Sequence, residues 1–295
     1  MQSARMSTSN AIDLSQLPAP NVIAALDYET ILAEMVALMQ TGVVGVFDGI
    51  PDFDGTNEAD PAVKVLQVAA WCRLLDRAKA NDDAKAVMVA YATGADLDNL
   101  GALFQVTRLE GELDDRFRRR IVLAPDGYSV AGPESAYIYH ALSASLDVLD
   151  ATATSPEPGE VIVTILSAIG NGAASGGLIA TVQDALSSQT VRPLTDQVTV
   201  QSATIVNYAV AATVYTYDGP DSSVVLANAA TRAEAYRQSL RKLGRDVTRA
   251  GYTAAMMADG AQNAVLASPV ADIVMDDTQA GHCTGIVITP GGVAE

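Results

Sequence analysis

The sequence predicts an α+β protein: a helical N-terminal region followed by a mixed α/β body of small antiparallel or mixed sheets. Three observations predict it. Apolar residues recur at helical spacing through the first 126 positions. From residue 148 onward, short runs rich in Val, Ile and Thr alternate with amphipathic stretches. Turn signals such as Pro156-Glu-Pro-Gly159 separate these runs. Strands and helices in this order belong to α+β architectures. The 295 residues suit about two domains. The shifts in pattern divide the chain into a loose N-terminus (1–16), a helical region (17–126) and an α+β body (127–295).

The elements follow in order. Leu17-Pro-Ala-Pro20 is a stiff extended lead-in, because each proline disfavours helix in the residue before it. Asp27 stands at an N-cap ahead of Ile31, Leu32, Met35, Leu38 and Met39 at helical spacing. Residues 41–60 carry glycines and a proline and read as loop. Asp60-Pro61 starts a second helix, a cap residue followed by proline at the first helical position. Val63, Leu66, Ala70, Leu74, Val87 and Tyr91 extend that helical region towards Gly94, with an interruption predicted at Asn81-Asp82-Asp83. A third stretch, 114–123, should stop at Pro125. In the body the pattern predicts helices over 133–145, 178–186, 224–242 and 252–257. Strands are predicted over Val148–Thr154, 161–166, 198–200, 205–217, 265–267 and 286–289.

Composition narrows the classes of function. Apolar residues make up 49% of the chain, which is enough for a packed core. The formal net charge is −17, and such a surface is repelled by a phosphate backbone, so direct nucleic-acid binding is disfavoured. Charge is unevenly spread. Arg5 is the only basic residue before position 61, against nine acidic ones, and residues 250–295 hold five carboxylates with no Lys or Arg. Basic residues gather at Arg116, Arg118, Arg119 and Arg120, and again at Arg232, Arg237, Arg241, Lys242, Arg245 and Arg249. Each cluster reads as a solvated, salt-laced helix face, and acidic ends beside basic segments suit subunit registration. Cys72 and Cys283 are too few for a disulfide framework and fit a reducing compartment. No run has the ~18 uninterrupted apolar residues of a membrane span, and Met1-Gln-Ser-Ala-Arg-Met6 lacks the apolar core of a signal peptide. The expectation is a soluble protein made in cytoplasm.

Candidate chemistry is sparse. Gly170-Asn-Gly172-Ala-Ala-Ser175-Gly176-Gly177 lies between a predicted strand and helix, the setting of a dinucleotide fingerprint, with Asp196 about 20 residues on where a ribose-binding acid is sought. Ser175 replaces the third glycine and Arg192-Pro193 breaks the chain before Asp196, so a connecting loop is the stronger reading. A nucleotide-dependent oxidoreductase is the alternative from a different class, and it predicts heat on titration with nicotinamide cofactor. Ser239-Leu-Arg-Lys242 matches S-x-x-K without its partner motifs. Asp52-Phe-Asp54-Gly-Thr-Asn57 misses the glycine and glutamate positions of a calcium loop. His282 and Cys283 are adjacent and lack further ligands at zinc spacing. His140 reads as a hydrogen-bonded structural histidine. No catalytic, metal-binding or cofactor-binding residue is assigned, and the chain is expected not to be an enzyme.

Several segments resemble the baseplate J family of contractile-tailed phages. They are Ile12-Asp-Leu-Ser-Gln-Leu-Pro-Ala-Pro20 with Leu26-Asp-Tyr-Glu-Thr-Ile-Leu-Ala-Glu34, Ala92-Thr-Gly-Ala-Asp-Leu-Asp-Asn-Leu-Gly101 before Thr107-Arg-Leu109, and Gly127-Tyr-Ser-Val-Ala-Gly132 running into Ala136-Tyr-Ile-Tyr-His140. Val191-Arg-Pro-Leu-Thr-Asp-Gln-Val198, Leu243-Gly-Arg-Asp246, Ala271-Asp-Ile-Val274 and Cys283-Thr284 continue the match in order to the C-terminus. The resemblance implies a non-enzymatic wedge subunit of a tail baseplate, located in the virion and assembled in the host cytoplasm. It implies a smaller neighbouring wedge protein that bundles with the helical region, and other copies of the chain in adjacent wedges that meet the C-terminal body and close a ring. Central hub or sheath-proximal proteins are further implied partners; nucleic acid and membrane are not. Rigid-body rotation of such wedges would accompany contraction. The same component of a phage-derived injection device is the near alternative. Interface candidates are Ile31, Leu32, Met35 and Leu38 on the first helix, Leu66, Ala70 and Leu74 on the second, and Arg237, Arg241 and Arg245 in the basic C-terminal segment.

Overall fold

A computed structural model describes residues 24–294 except 130, 189, 190, 194 and 220, together with residues 14, 17 and 20. Apart from those three positions, the expected loose N-terminus and its proline lead-in lie outside the described residues. The α+β class holds, and contacts divide the chain into two compact units, Ile12–Arg108 and Leu109–Glu295.

In the first unit, α1 (Tyr28–Thr41) starts where Asp27 accepts a bond from the Glu29 N–H at 3.1 Å. The stretch read as loop contains a small antiparallel hairpin, β1 (Gly42–Val43) with β2 (Phe47–Asp48). Gly42 sits at φ +71°, and a Cβ there would lie 2.4 Å from the Gly49 nitrogen, so only glycine closes this turn. Next comes α2 (Pro61–Ala86), with Asp60 accepting from the Ala62 N–H at 2.8 Å and Pro61 in the first turn. The predicted interruption at Asn81-Asp82-Asp83 is absent: α2 runs straight through it. Asn81 is buried, and its amide bonds both the N–H and the C=O of Ala24 at 2.8 and 2.9 Å, so its polar group is satisfied without breaking the helix. Turns fill 87–93, and α3 (Gly94–Leu103) follows. Gly94, towards which the preceding helical region was expected to extend, is the first residue of α3 behind Thr93, at φ +53°. Asp96 falls in the first turn, where the helix dipole favours a carboxylate.

The second unit opens with α4 (Asp114–Gly127) and α5 (Glu134–Ala144). The predicted stop at Pro125 does not occur. Leu123 and Ala124 are buried in front of it, and their packing outweighs the one backbone bond that proline removes. Then come β3 (Val148–Thr154), β4 (Glu160–Ser167), α6 (Gly176–Leu186) and β5 (Gln197–Ser202). They form a sheet in the order β3-β4-β5, antiparallel across β3/β4 and parallel across β4/β5, with α6 as the crossover. A second mixed sheet follows from β6 (Thr204–Thr216), α7 (Ser222–Ser239), α8 (Arg249–Met256), β7 (Ala261–Ser268) and β8 (Gln279–Val293). Its order is β7-β6-β8, with β7 antiparallel and β8 parallel to β6. The helix predicted to reach Lys242 ends at Ser239, where Leu240 turns inward as the buried C-cap residue. Each sheet has its own core, and a small cluster of Leu166, Ala203, Leu243 and Ala280 packs between them.

Buried ion pairs, beside the apolar packing of Phe117, Ile121 and Leu123, tie α4 to the rest of the second unit. Glu112 is buried, and its two oxygens accept from Arg116 at 2.8 Å and Arg120 at 2.6 Å. Arg116 also donates to the carbonyls of Leu142 and Ser145 at 2.7 Å and Val148 at 3.1 Å, which seals the end of α5 against β3. Arg119 pairs with buried Asp150, whose other oxygen accepts the Leu243 N–H at 3.0 Å. The basic cluster at 116–120 is therefore not the solvated face the sequence predicts. Arg118 pairs with an exposed acid, Asp115, at 2.7 Å, while Arg120 is 4% exposed.

Candidate assembly interface

Helix α2 carries two apolar stripes. Val63 and Ala70 are buried, with Leu66 and Leu74 half-buried between and beyond them. The second stripe is Val65, Val68, Trp71 and Leu75, 67, 65, 54 and 51% exposed. Steps of three, three and four residues put these four on one side of a helix. Four large apolar side chains in line, including the only tryptophan, are unusual on a solvated helix. Contiguous exposed apolar surface of this kind marks an interaction site. Val65 and Val68 border a shallow apolar depression with Lys64 and Ala69. On the rest of the pair, Glu34 of α1 accepts from Arg77 at 3.2 Å and lies 3.9 Å from Arg73.

The residues named from sequence divide between inside and outside. Ile31 and Ala70 are fully buried, whereas Leu32, Met35, Leu66 and Leu74 are half-buried. Leu38 is exposed. In the basic segment, Arg237 forks onto Glu234 three residues earlier on α7. Arg241 lies beyond α7, its guanidinium 3.4–3.5 Å from the carbonyls of Ser167, Ala168 and Gly170. Arg245 is exposed in the following loop. The three do not form one helix face. The outer stripe of α2 is absent from the sequence-based set. Its signal was Trp71 with Val and Leu at helical spacing around it.

Comparison with known proteins shows the family of the chain. The profile of the Baseplate J-like N-terminal domain matches residues 58–113, which include α2 and α3. The profile of the Baseplate J-like central domain matches residues 129–202, which include α5 and the first sheet. Baseplate protein J of Escherichia phage P2 is 41% identical over 307 aligned positions, covering 96% of this chain and 99% of that protein. The chain belongs to the baseplate J family.

In this baseplate J chain the positions singled out for chemistry have structural partners. The Gly170–Gly177 loop does connect two parallel strands through a helix, as a dinucleotide site would. Its Ser175 is spent capping α6, accepting from the Leu178 N–H at 3.2 Å. A Cβ on Gly172 would strike the Leu166 side chain at 2.7 Å. Asp196 precedes β5 and accepts from the Tyr137 hydroxyl at 2.6 Å, so it lies at the start of the second parallel strand, away from the end a ribose would occupy. Asp54 accepts from the Thr56 amide and hydroxyl at 2.9 and 2.7 Å, a turn of its own rather than an ion loop. Among the described residues no group of three His, Cys, Asp or Glu could hold a metal ion, and no helix is long and apolar enough to cross a membrane. Cys283 faces the core beneath β8 while His282 is half-buried, as alternation along a strand requires.

His140 lies 3.2 Å from the Gly127 carbonyl, across from the end of α4, and edge-on to Tyr139. Burial holds its pKa below the ordinary histidine value, with the Gly127 carbonyl partly opposing. The unfolded chain therefore takes up this proton first as pH falls. Its contribution to stability is complete above about pH 6.5 and is lost progressively below it. Thermal melts between pH 7 and 5 should show a falling midpoint, and His140→Gln should flatten that slope. An unchanged slope would show that His140 does not set it.

Proposed function

We propose that this chain is a structural wedge subunit of a contractile-tail baseplate, assembling with a smaller wedge protein around the central hub. The observation that carries the proposal is the outer stripe of α2, which lies within the part of the chain matching the family's N-terminal domain. A helix of the partner laid along Val65, Val68, Trp71 and Leu75 would extend the α1/α2 pair into a bundle, the arrangement that helix stripes of this width favour. Inward residues Ile31, Leu66, Ala70 and Leu74 hold the pair that presents the stripe. The second unit serves as the body through which copies in adjacent wedges meet, with Arg237, Arg241 and Arg245 on its basic segment. Hub and sheath-proximal proteins complete its neighbours; nucleic acid and membrane are not partners. The role is non-enzymatic, its setting the virion tail, and assembly takes place in the host cytoplasm. A phage-derived injection device would use the same wedge.

Co-expression with the product of the adjacent tail gene tests this. The expected outcome is a stoichiometric complex that survives size-exclusion chromatography. A well-behaved lone chain that ignores its neighbour would contradict the proposal.

A further inference from the structure

The second unit consists of two packed bodies joined at one residue. The first sheet with α4, α5 and α6 encloses one core, and the second sheet with α7 and α8 encloses the other. β5 ends at Ser202 and β6 begins at Thr204, so the chain passes between the bodies once, at Ala203. The Ala203 N–H donates to the Ile165 carbonyl of the first body at 2.9 Å, and the Thr204 N–H to the Thr278 carbonyl of the second at 2.9 Å. Apolar packing across the joint is slight: its buried members are Leu166, Ala203, Leu243 and Ala280, two of them alanines. Polar ties supply the rest. Asp150 of β3 accepts the Leu243 N–H at 3.0 Å, and Thr152, two residues along that strand, donates its hydroxyl to the Asp277 carbonyl at 2.7 Å. The Arg241 guanidinium lies 3.4–3.5 Å from the carbonyls of Ser167, Ala168 and Gly170. The segment carrying Arg241 and Leu243 is itself held on the second body. Gly244 donates to the Gln279 carbonyl at 3.0 Å, and Val247 and Ile273 exchange two backbone bonds at 2.9 Å.

We propose that Ala203 is a pivot and the Asp150 carboxylate its catch, so that the second sheet with α7 and α8 swings as one body when the catch is released. Asp150 is 5% exposed and gathers three donors. The Leu243 N–H comes from the far body, while the Ala151 N–H and the Arg119 guanidinium belong to its own. When the far body moves, Ala151 and Arg119 stay with the carboxylate and the Leu243 N–H turns to water. Release therefore strands no buried charge. A hydrogen bond exchanged for one to water costs little net free energy, whereas parting either sheet from its helices would expose a whole apolar core. The joint is thus the weakest plane in the unit, and a cooperative body bounded by such a plane opens below the free energy of global unfolding. A displacement there is a hinge motion, with the backbone dihedrals around Ala203 absorbing the change. Its use in a contracting tail rests on the wedge reading; the pivot itself does not.

Electron–electron distance measurements on the full chain test it. Ala180 on α6 and Asn228 on α7 are both exposed, one on each body. Nitroxides attached through Ala180→Cys and Asn228→Cys, in a chain carrying Cys72→Ser, report the separation of the bodies. One narrow distance is expected with Asp150 in place, and a broadened or two-peaked distribution with Asp150→Ala. Arg241→Ala lies outside both cores and should shift the distribution in the same direction, which covers the case in which Asp150→Ala fails to fold. Amide exchange in the unaltered chain, followed by NMR, needs no variant. The Leu243 N–H should be protected roughly tenfold less than those of Gly244 and Val247, which stay on the second body, and less than those of Val163 and Val214 at the centres of the two sheets. Equal protection at all five amides would overturn the proposal, as would a distance distribution that neither substitution changes. Loss of protection throughout β3 and β4 in Asp150→Ala would also overturn it, because Asp150 would then hold its own sheet and not the joint.

Discussion

Trp71→Glu, introduced into the co-expressed pair, is expected to abolish co-purification of the smaller wedge partner while leaving the chain folded. Trp71 is 54% exposed in the middle of the outer stripe, so its side chain contributes little to the internal packing of its own unit. Aromatic anchors at the centre of an interface typically contribute about 2–4 kcal/mol on truncation, which is roughly 30- to 1,000-fold in affinity. A buried glutamate would add the cost of desolvating a charge. Trp71→Phe, which keeps an aromatic anchor, should lose far less, and Val65→Ala an intermediate amount at the rim. Calorimetry with separately purified partners gives the affinities, and circular dichroism checks the fold. If Trp71→Glu binds like the unaltered chain, the stripe is not the docking surface.

The largest expected effect on stability lies at Glu112. Its carboxylate is shared by Arg116 and Arg120, and both its oxygens are out of reach of water. Desolvation pulls the Arg116 guanidinium below its ordinary pKa, and Glu112 opposes that pull. Removing the carboxylate leaves the buried Arg120 and the half-buried Arg116 without the charge they share. Breaking such a cluster from one side costs about 3–5 kcal/mol, and for a unit of this size that corresponds to a fall of roughly 10 °C or more in melting temperature. Glu112→Ala and Glu112→Gln should both show most of it, because the amide keeps the shape but supplies no charge. A drop of under about 3 °C would mean that water or rearranged partners satisfy the arginines. Nicking by protease near α4 should increase in parallel, since Arg116 also ties α5 to β3 through three carbonyls.

Much of the body was legible because its strands alternate cleanly. Val148–Thr154 was read with its observed limits, and β4 and α6 within one or two residues. The two aspartate caps in the first unit were legible for the same reason: Asp27 and Asp60-Pro61 satisfy local rules that need no tertiary contact. What was misread depends on distant partners. Asn81 looked like a helix breaker because nothing local shows that the Ala24 backbone waits for its amide. Pro125 looked like a stop because burial of Leu123 and Ala124 is not visible in a propensity. The arginines of α4 looked like a solvated face because charge in a sequence does not announce its depth. The i,i+4 spacing of Arg116 from Glu112 was the available hint. The candidate interface shows the same limit. A helix with apolar residues on two sides gives periodicity two ways to align, and reading the stripe of Leu66, Ala70 and Leu74 left that of Trp71 unseen.

Cryo-electron microscopy of a contractile particle containing this chain is the most direct test of the wedge assignment. The account predicts this chain in the wedges around the central hub, with a helix of a smaller neighbouring protein lying along Val65, Val68, Trp71 and Leu75. A chain placed outside the baseplate, or one whose α2 stripe faces solvent in the assembled wedge, would contradict it.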